Sequence, residues 1–140
     1  MESVRLGTAQ LDDQAFVEAF ESCRLPAAQF HHADHIRLAW IFLGQMSEAE
    51  AARKIEEAIR RYANHNGIGQ KYHQTITVAW MRLVAAARRA TAEGARFAEF
   101  AELHPELLDV HLLRNYYTKE RLERPQARAE WVEPDLCTLP

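Results

Sequence analysis

Between Ile36 and Leu43 the sequence reads Ile-Arg-Leu-Ala-Trp-Ile-Phe-Leu, a run that is apolar on nearly every side of an α-helix before Gly44 ends it. A helix without a broad polar face has to be surrounded by other elements, so this segment belongs at the centre of its assembly. Hydrophobic residues make up 48% of the 140, with only five glycines and five prolines and long segments of alanine, leucine, glutamate and arginine. That composition points to helices and away from a sandwich or a disordered chain. A chain of this length can bury a real core without disulfide or metal staples. The expectation is an all-α, single-domain bundle of about five to seven helices spanning 1-140, with a loose arm over residues 1 to 10 and an extended tail over 132 to 140.

The local signals divide the chain as follows. Asp12 or Asp13 starts a first helix, with Phe16, Val17 and Phe20 at helical spacing, and Leu25-Pro26 ends it, so that Cys23 falls in its last turn. Ser47-Glu48-Ala49-Glu50 is a capping box, and Ala51, Ala52, Ile55, Ala58, Ile59 and Tyr62 form one stripe of the helix it opens. The run Asn64-His65-Asn66-Gly67-Ile68-Gly69 closes that helix as a loop rather than as a phosphate cradle. A further long helix follows Lys71-Tyr72-His73, with His73, Thr77, Trp80 and Val84 along one face, and Gly94 marks its end.

Phe97, Phe100 and Ala101 mark a short helix. Pro105 opens the next, with Leu107, Leu108, His111 and Leu112 on its apolar face, which turns His111 inward. Lys119 to Leu122 is a brief charged helix interrupted by Pro125, and the tail from Trp131 is expected to run across the bundle surface, anchored by Trp131 and Leu136. At an offset of forty residues Ile36 matches Ile76, Ala39-Trp40 matches Ala79-Trp80 and Leu43 matches Leu83. Either the alphabet of helices repeats by chance, or two helical hairpins are related by pseudo-symmetry and bring both histidine-bearing helix starts to one end of the bundle.

Titratable groups concentrate where the central helix begins, in Phe30-His31-His32-Ala33-Asp34-His35-Ile36-Arg37. If the helix already includes His31, the step of four to His35 turns about 40° and the step of three from His32 about 60°, so the three imidazoles share a face. Imidazole suits zinc, copper, iron and nickel, and Asp34 would ligate, orient a histidine from behind, or serve only as the N-cap. A divalent transition metal would then be held by two or three of His31, His32, His35 and His73, with His111 as a further ligand. An H-x-x-H step permits such a site without demanding it. Arg37 is the one charge in the apolar run, and is either an anion contact or a stem laid on apolar surface.

Other chemistry is poorly served. The net charge of −3 comes from interspersed acids and bases with no basic stripe, which argues against nucleic acid. Cys23 and Cys137 form no disulfide framework, the N-terminus has no apolar leader, and the longest uncharged apolar run is too short for a bilayer, so a cytoplasmic protein without a membrane partner is expected. The only serines are Ser3, Ser22 and Ser47, and neither a Walker loop, a Rossmann fingerprint, HExxH nor a cysteine-rich zinc pattern occurs.

The combination of Phe30 to Arg37 with Lys71-Tyr72-His73-Gln74-Thr75-Ile76-Thr77, Tyr116-Tyr117-Thr118 and Trp131-Val132-Glu133-Pro134-Asp135-Leu136 resembles a family of small uncharacterised bacterial helical proteins. The resemblance implies a bacterial origin and carries over no catalytic residue.

Three readings follow. The first is a histidine-lined pocket that holds a divalent transition metal and acts on a small molecule. The second is the same pocket without metal, with His35 or His73 as general base and Arg37 or Lys71 holding an acidic small molecule. The third is an interaction or regulatory module whose histidines are structural and whose Trp131 and tail belong to a homodimer or partner surface.

Overall fold

The computed structural model describes residues 8–140, and within them the chain forms seven α-helices and no strand. The helices are α1 (Asp13–Glu21), α2 (His32–Gln45), α3 (Glu48–His65), α4 (Gln74–Arg89), α5 (Phe97–Leu103), α6 (Lys119–Glu123) and α7 (Pro125–Ala129). Short 3-10 turns join several of them. Most of the expected N-terminal arm lies outside the described residues; its last three, Thr8–Gln10, form a 3-10 turn.

The central position of α2 follows from its sequence. Ile36, Leu38, Ala39, Ile41, Phe42 and Leu43 are all buried, and the large ones each contribute roughly 1.5–3 kcal/mol through apolar area removed from water. Helix α2 packs on both α3 and α4, and α4 packs in turn on α3 and α7. Helix α3 begins as its capping box dictates, with Glu50 N–H donating to Ser47 Oγ and Ser47 N–H donating to Glu50 Oε1, both at 3.1 Å.

Helix α1 stops earlier than its spacing predicts. Cys23 lies beyond the helix with φ 62°, and the Arg24 and Cys23 amides close onto the Ala19 and Phe20 carbonyls in a Schellman arrangement. The loop after α3 contains a glycine packed against a side chain at impossible range for a Cβ: a methyl group on Gly69 would fall on Asn64 Oδ1. That close approach folds residues 66 to 71 back toward α3, where they form part of a cavity wall described below.

The forty-residue match does not extend to a second hairpin. Helix α3 continues α2 as an antiparallel partner, but α5 has only seven residues and α4 takes α7 as its further neighbour instead. The segment after Pro105 also departs from expectation. It makes two 3-10 turns, Pro105–Leu108 and Leu112–Asn115, rather than one helix, so Leu107 is buried while Leu108 and His111 are exposed. His111 falls in the connection between the two turns, as the N-cap of the second, so the side chain that a continuous α-helix would have turned inward faces water.

The C-terminal segment is tied down more firmly than a surface tail. Thr75 Oγ1, fully buried near the start of α4, donates to the Glu130 carbonyl at 2.8 Å and accepts the Val132 amide at 3.1 Å. Tyr117 donates its phenol to the Val132 carbonyl at 2.8 Å, and burial together with Glu133 pushes its pKa up to about 12. Trp131 packs edge-on to Tyr117 and lies under the Arg82 guanidinium. Leu136 contributes no side-chain anchor: it is 56% exposed, and only its amide is used, donating to the Tyr116 carbonyl at 2.9 Å. Trp131 and Val132 hold the tail, because Val132 is the residue that the Thr75 and Tyr117 bonds draw into the core.

Candidate functional site

The start of α2 is an N-terminal capping arrangement. His31 is the N-cap, with extended backbone, and the helix begins at His32. Asp34 sits at the third helical position and reaches back, accepting the His31 amide at 2.9 Å through Oδ2 and the Thr8 hydroxyl through Oδ1. The buried carboxylate thus acts in the reverse sense of an N-cap, as the second half of a capping box. With His31 outside the helix, the condition for three imidazoles on one helical face is not met.

Each histidine goes to a different environment. The exposed His31 borders a cavity of about 630 Å³ shared with Asp34 and Arg37. His32 Nε2 lies 2.8 Å from the Leu107 carbonyl, so it carries the proton, and the ring meets Trp80 at 4.4 Å between centroids. Burial lowers its pKa, partly offset by that carbonyl. His111 is on the surface. Among the described residues no three His, Cys, Asp or Glu side chains gather where they could hold a metal ion.

Arg37 is largely committed. Its Nη1 donates to the Thr8 carbonyl at 2.8 Å, Nη2 to the Leu11 carbonyl at 2.7 Å, and Nη2 and Nε to Asp13 Oδ1 at 2.9 and 3.2 Å. The guanidinium also lies over the Phe16 ring at 4.5 Å. The residue ties the segment before α1 and the start of α1 to α2, and four of its five N–H donors are occupied before any anion arrives.

His35 and His73, by contrast, do come together. Both line one cavity of about 330 Å³ enclosed by the Ala27–Phe30 segment, α2, α3, the loop after α3 and the start of α4. Its walls are mostly apolar: Phe30, Ile59, Ile68 and Ile76, with the rings of Tyr62 and Tyr72. Phe30 stacks on Phe20 and lies 6.1 Å from the His35 ring, so the imidazole is one member of an aromatic cluster.

The polar atoms of this cavity are nearly all spoken for. Tyr62 donates to the Leu25 carbonyl at 2.7 Å, Tyr72 donates to Gln74 Oε1 at 2.7 Å, and Thr77 donates to the His73 carbonyl at 2.8 Å. His73 is the N-cap of α4. Its Nδ1 accepts the Ile76 amide at 3.1 Å, which places the ring proton on Nε2, and Nε2 donates to the Leu122 carbonyl at 2.7 Å. Neither nitrogen retains a lone pair for a metal, and moving a proton through this ring would break one of the two bonds. Burial lowers its pKa as well, with the Leu122 carbonyl opposing.

Two groups are left over. His35 is half-buried, with part of its ring on the cavity wall, but its Nε2 is closed off from solvent and has no hydrogen-bond partner among the described residues. Burial, with a smaller contribution from neighbouring His32, pushes its pKa down to about 4, so the ring is neutral at pH 7. An orphaned buried nitrogen of this kind costs about 1–3 kcal/mol. The second group is Lys71, exposed on the cavity wall and without an ion-pair partner among the described residues.

The arrangement can therefore hold an apolar body, offer one neutral imidazole for a hydrogen bond, and meet a negative charge at the lysine. Sequence reasoning singled out His35 and His73 but missed Tyr62, Tyr72, Phe30 and Ile68 as the wall. The signal available for them was the glycine-rich turn at 67 to 69, which returns the chain onto the face carrying Tyr62. Comparison with protein-family profiles, with curated proteins and with solved structures finds no match to this chain. Among the described residues no helix is long and apolar enough to cross a membrane.

Proposed function

We propose that the cavity between α2, α3 and α4 is a metal-free binding site for a small, flat, largely apolar organic acid. The observation that carries this reading is the apolar, aromatic-walled cavity itself, with the neutral His35 ring, which makes no hydrogen bond to any described residue, in its wall and Lys71 beside it; Nε2 itself is closed off behind that wall. The volume is at the low end of the range of about 300–1,000 Å³ that ligand pockets occupy. Phe30, Tyr62 and Tyr72 supply ring surfaces for stacking, and Lys71 supplies charge for the acid group.

Binding is favoured over acid–base catalysis by the chemistry of the two imidazoles. A general base works best with a pKa near the operating pH, and His35 at about 4 is far below it. His73 is locked at both nitrogens. The metal reading lacks a donor set: His32 and His73 spend ring nitrogens on backbone carbonyls, and His31 and His111 lie elsewhere.

Titration with benzoate and with its neutral analogue benzamide, followed through the His35 ring resonances, tests the reading. Benzoate is expected to give a saturable shift that Lys71→Met weakens by about fivefold and His35→Leu by more, while benzamide responds weakly and is indifferent to Lys71→Met. A His35 signal that does not move at about 10 mM benzoate, well above the affinity expected of a ligand that size, would sink it.

A further inference from the structure

A second orphan lies at the opposite end of α4. Arg88, in the last turn of that helix, makes no hydrogen bond and no ion pair with any described residue, and its Nε is buried without a partner. The Nε–H is the one donor of the five-donor fork that is closed off, and leaving it without an acceptor is costly; Nη1 and Nη2 are not closed off and are the donors that can meet a ligand. Its neighbour Arg89 behaves in the ordinary way, exposed and paired with Glu48 at 2.5 Å. The placement of Arg88 at a helix C-terminus gives it a favourable field but no acceptor that fills the fork.

The guanidinium is held by packing instead. It lies 6.0 Å from the Trp40 ring centroid, and Nη2 rests so close over Gly44 that a Cβ there would come within 2.9 Å of it. The absence of a side chain at position 44 is thus what lets the arginine lie against α2. Beside it is a cavity of about 180 Å³ lined by Trp40, Arg88, Arg89 and the 91–95 loop, which joins α4 to α5. At about 30 Å³ per water, that is room for one small anion and a few waters, and too little for a nucleotide.

We propose that this slot is a binding site for a small oxyanion gripped by the Arg88 guanidinium, separate from the His35 cavity. Planar, bidentate recognition of a carboxylate or phosphate group is what the arginine fork does best. Thr91 lines the slot but supplies no donor to an anion, because its hydroxyl donates to the Ala87 carbonyl at 2.8 Å and meets His104 Nε2 at 3.0 Å. Glu93, exposed on the same wall, is the opposing element, because its carboxylate repels an anion in the slot.

The test is an NMR titration of the Arg88 Nε–H resonance with inorganic phosphate and, separately, with acetate, at pH 7 and constant ionic strength. A saturable shift with either anion is expected, and which of the two saturates at lower concentration tells whether the site prefers a tetrahedral or a planar group. Arg88→Met should abolish binding, and Gly44→Ala, which keeps the charge but displaces the fork, should weaken it by about tenfold. Gly44→Ala also raises helix propensity, so its folding is secure. Glu93→Gln is expected to tighten binding severalfold, and Arg61→Met, on the exposed face of α3, to leave it unchanged. A shift that grows linearly with both anions, or anion binding followed by tryptophan fluorescence that persists in Arg88→Met, overturns the proposal.

Discussion

His35 and His73 face the same cavity and differ in how their ring nitrogens are bonded. His73 has both nitrogens engaged with backbone groups, caps one helix and ties it to another. His35 has one nitrogen sealed off with nothing to bond. The pair teaches that burial and a lowered pKa, which the two share, do not separate a structural histidine from a functional one. The bookkeeping of hydrogen bonds does. A satisfied imidazole contributes to stability and is unavailable for anything else, whereas an unsatisfied one lowers stability until a ligand arrives.

Three experiments press on that contrast. The largest effect is expected from His73→Ala, which removes an N-cap worth about 1 kcal/mol and orphans the Leu122 carbonyl at a further cost of about 1–3 kcal/mol. Urea denaturation should show a loss of about 3 kcal/mol in total, and a loss under about 1 kcal/mol would mean the two bonds contribute little.

The next is pH. His35 titrates near 4 in the folded chain and near its ordinary 6.5 in the unfolded one, so between those values the unfolded state binds the extra proton. Stability is therefore full above about pH 6.5 and falls as pH drops toward 4, and moving from pH 7.5 to 5 should remove about 2 kcal/mol on account of this residue. His32 and His73, lowered in the same direction, add to the slope. In His35→Leu the slope should flatten by the larger part, and an unchanged slope would show that the ring is not buried as a neutral group.

The smallest effect, and the sharpest for the comparison, is His35→Leu at pH 7.5. Replacing an unpartnered nitrogen by hydrocarbon should leave stability within about 1 kcal/mol of the parent in either direction. A loss equal to that of His73→Ala would erase the distinction between the two residues.

Much of the architecture was legible because it depends on local rules. The Ser47–Glu50 capping box, the buried run of α2 and the His73, Thr77, Trp80, Val84 face of α4 all appear where spacing puts them. The errors fall where the outcome depends on a distant partner. In the sequence Asp34 is open between a metal ligand, a histidine's partner and an N-cap, and it is none of these: the Thr8 hydroxyl and the His31 amide take its two oxygens. Arg37 is open there between an anion contact and a stem laid on apolar surface, and only the approach of the Thr8 and Leu11 carbonyls before α1, with Asp13 at its start, decides for the second. Spacing assigns His111 an α-helical direction, but the helix is broken there and the residue sits between two 3-10 turns. Thr75 passed unnoticed, since nothing near it in sequence announces that residues 130 to 132 will come to its hydroxyl. The convergence of His35 and His73 belongs to the same class: it needed the packing of α2 on α4, which residue spacing along one helix does not contain.

The bonds from Thr75 and His73 to the C-terminal segment have a bearing on how the protein is made. Arg128 adds another, donating to the Lys71 carbonyl at 3.0 Å on the cavity wall. Because synthesis proceeds from the N-terminus, a nascent chain exposes α1 to α4 while the partners of Thr75, Lys71 and His73 are still untranslated. The start of α4, which forms one wall of the His35 cavity, is thus completed only when residues 122 to 132 have been made, and a chain whose translation ends before Trp131 is left with an unsealed helix start.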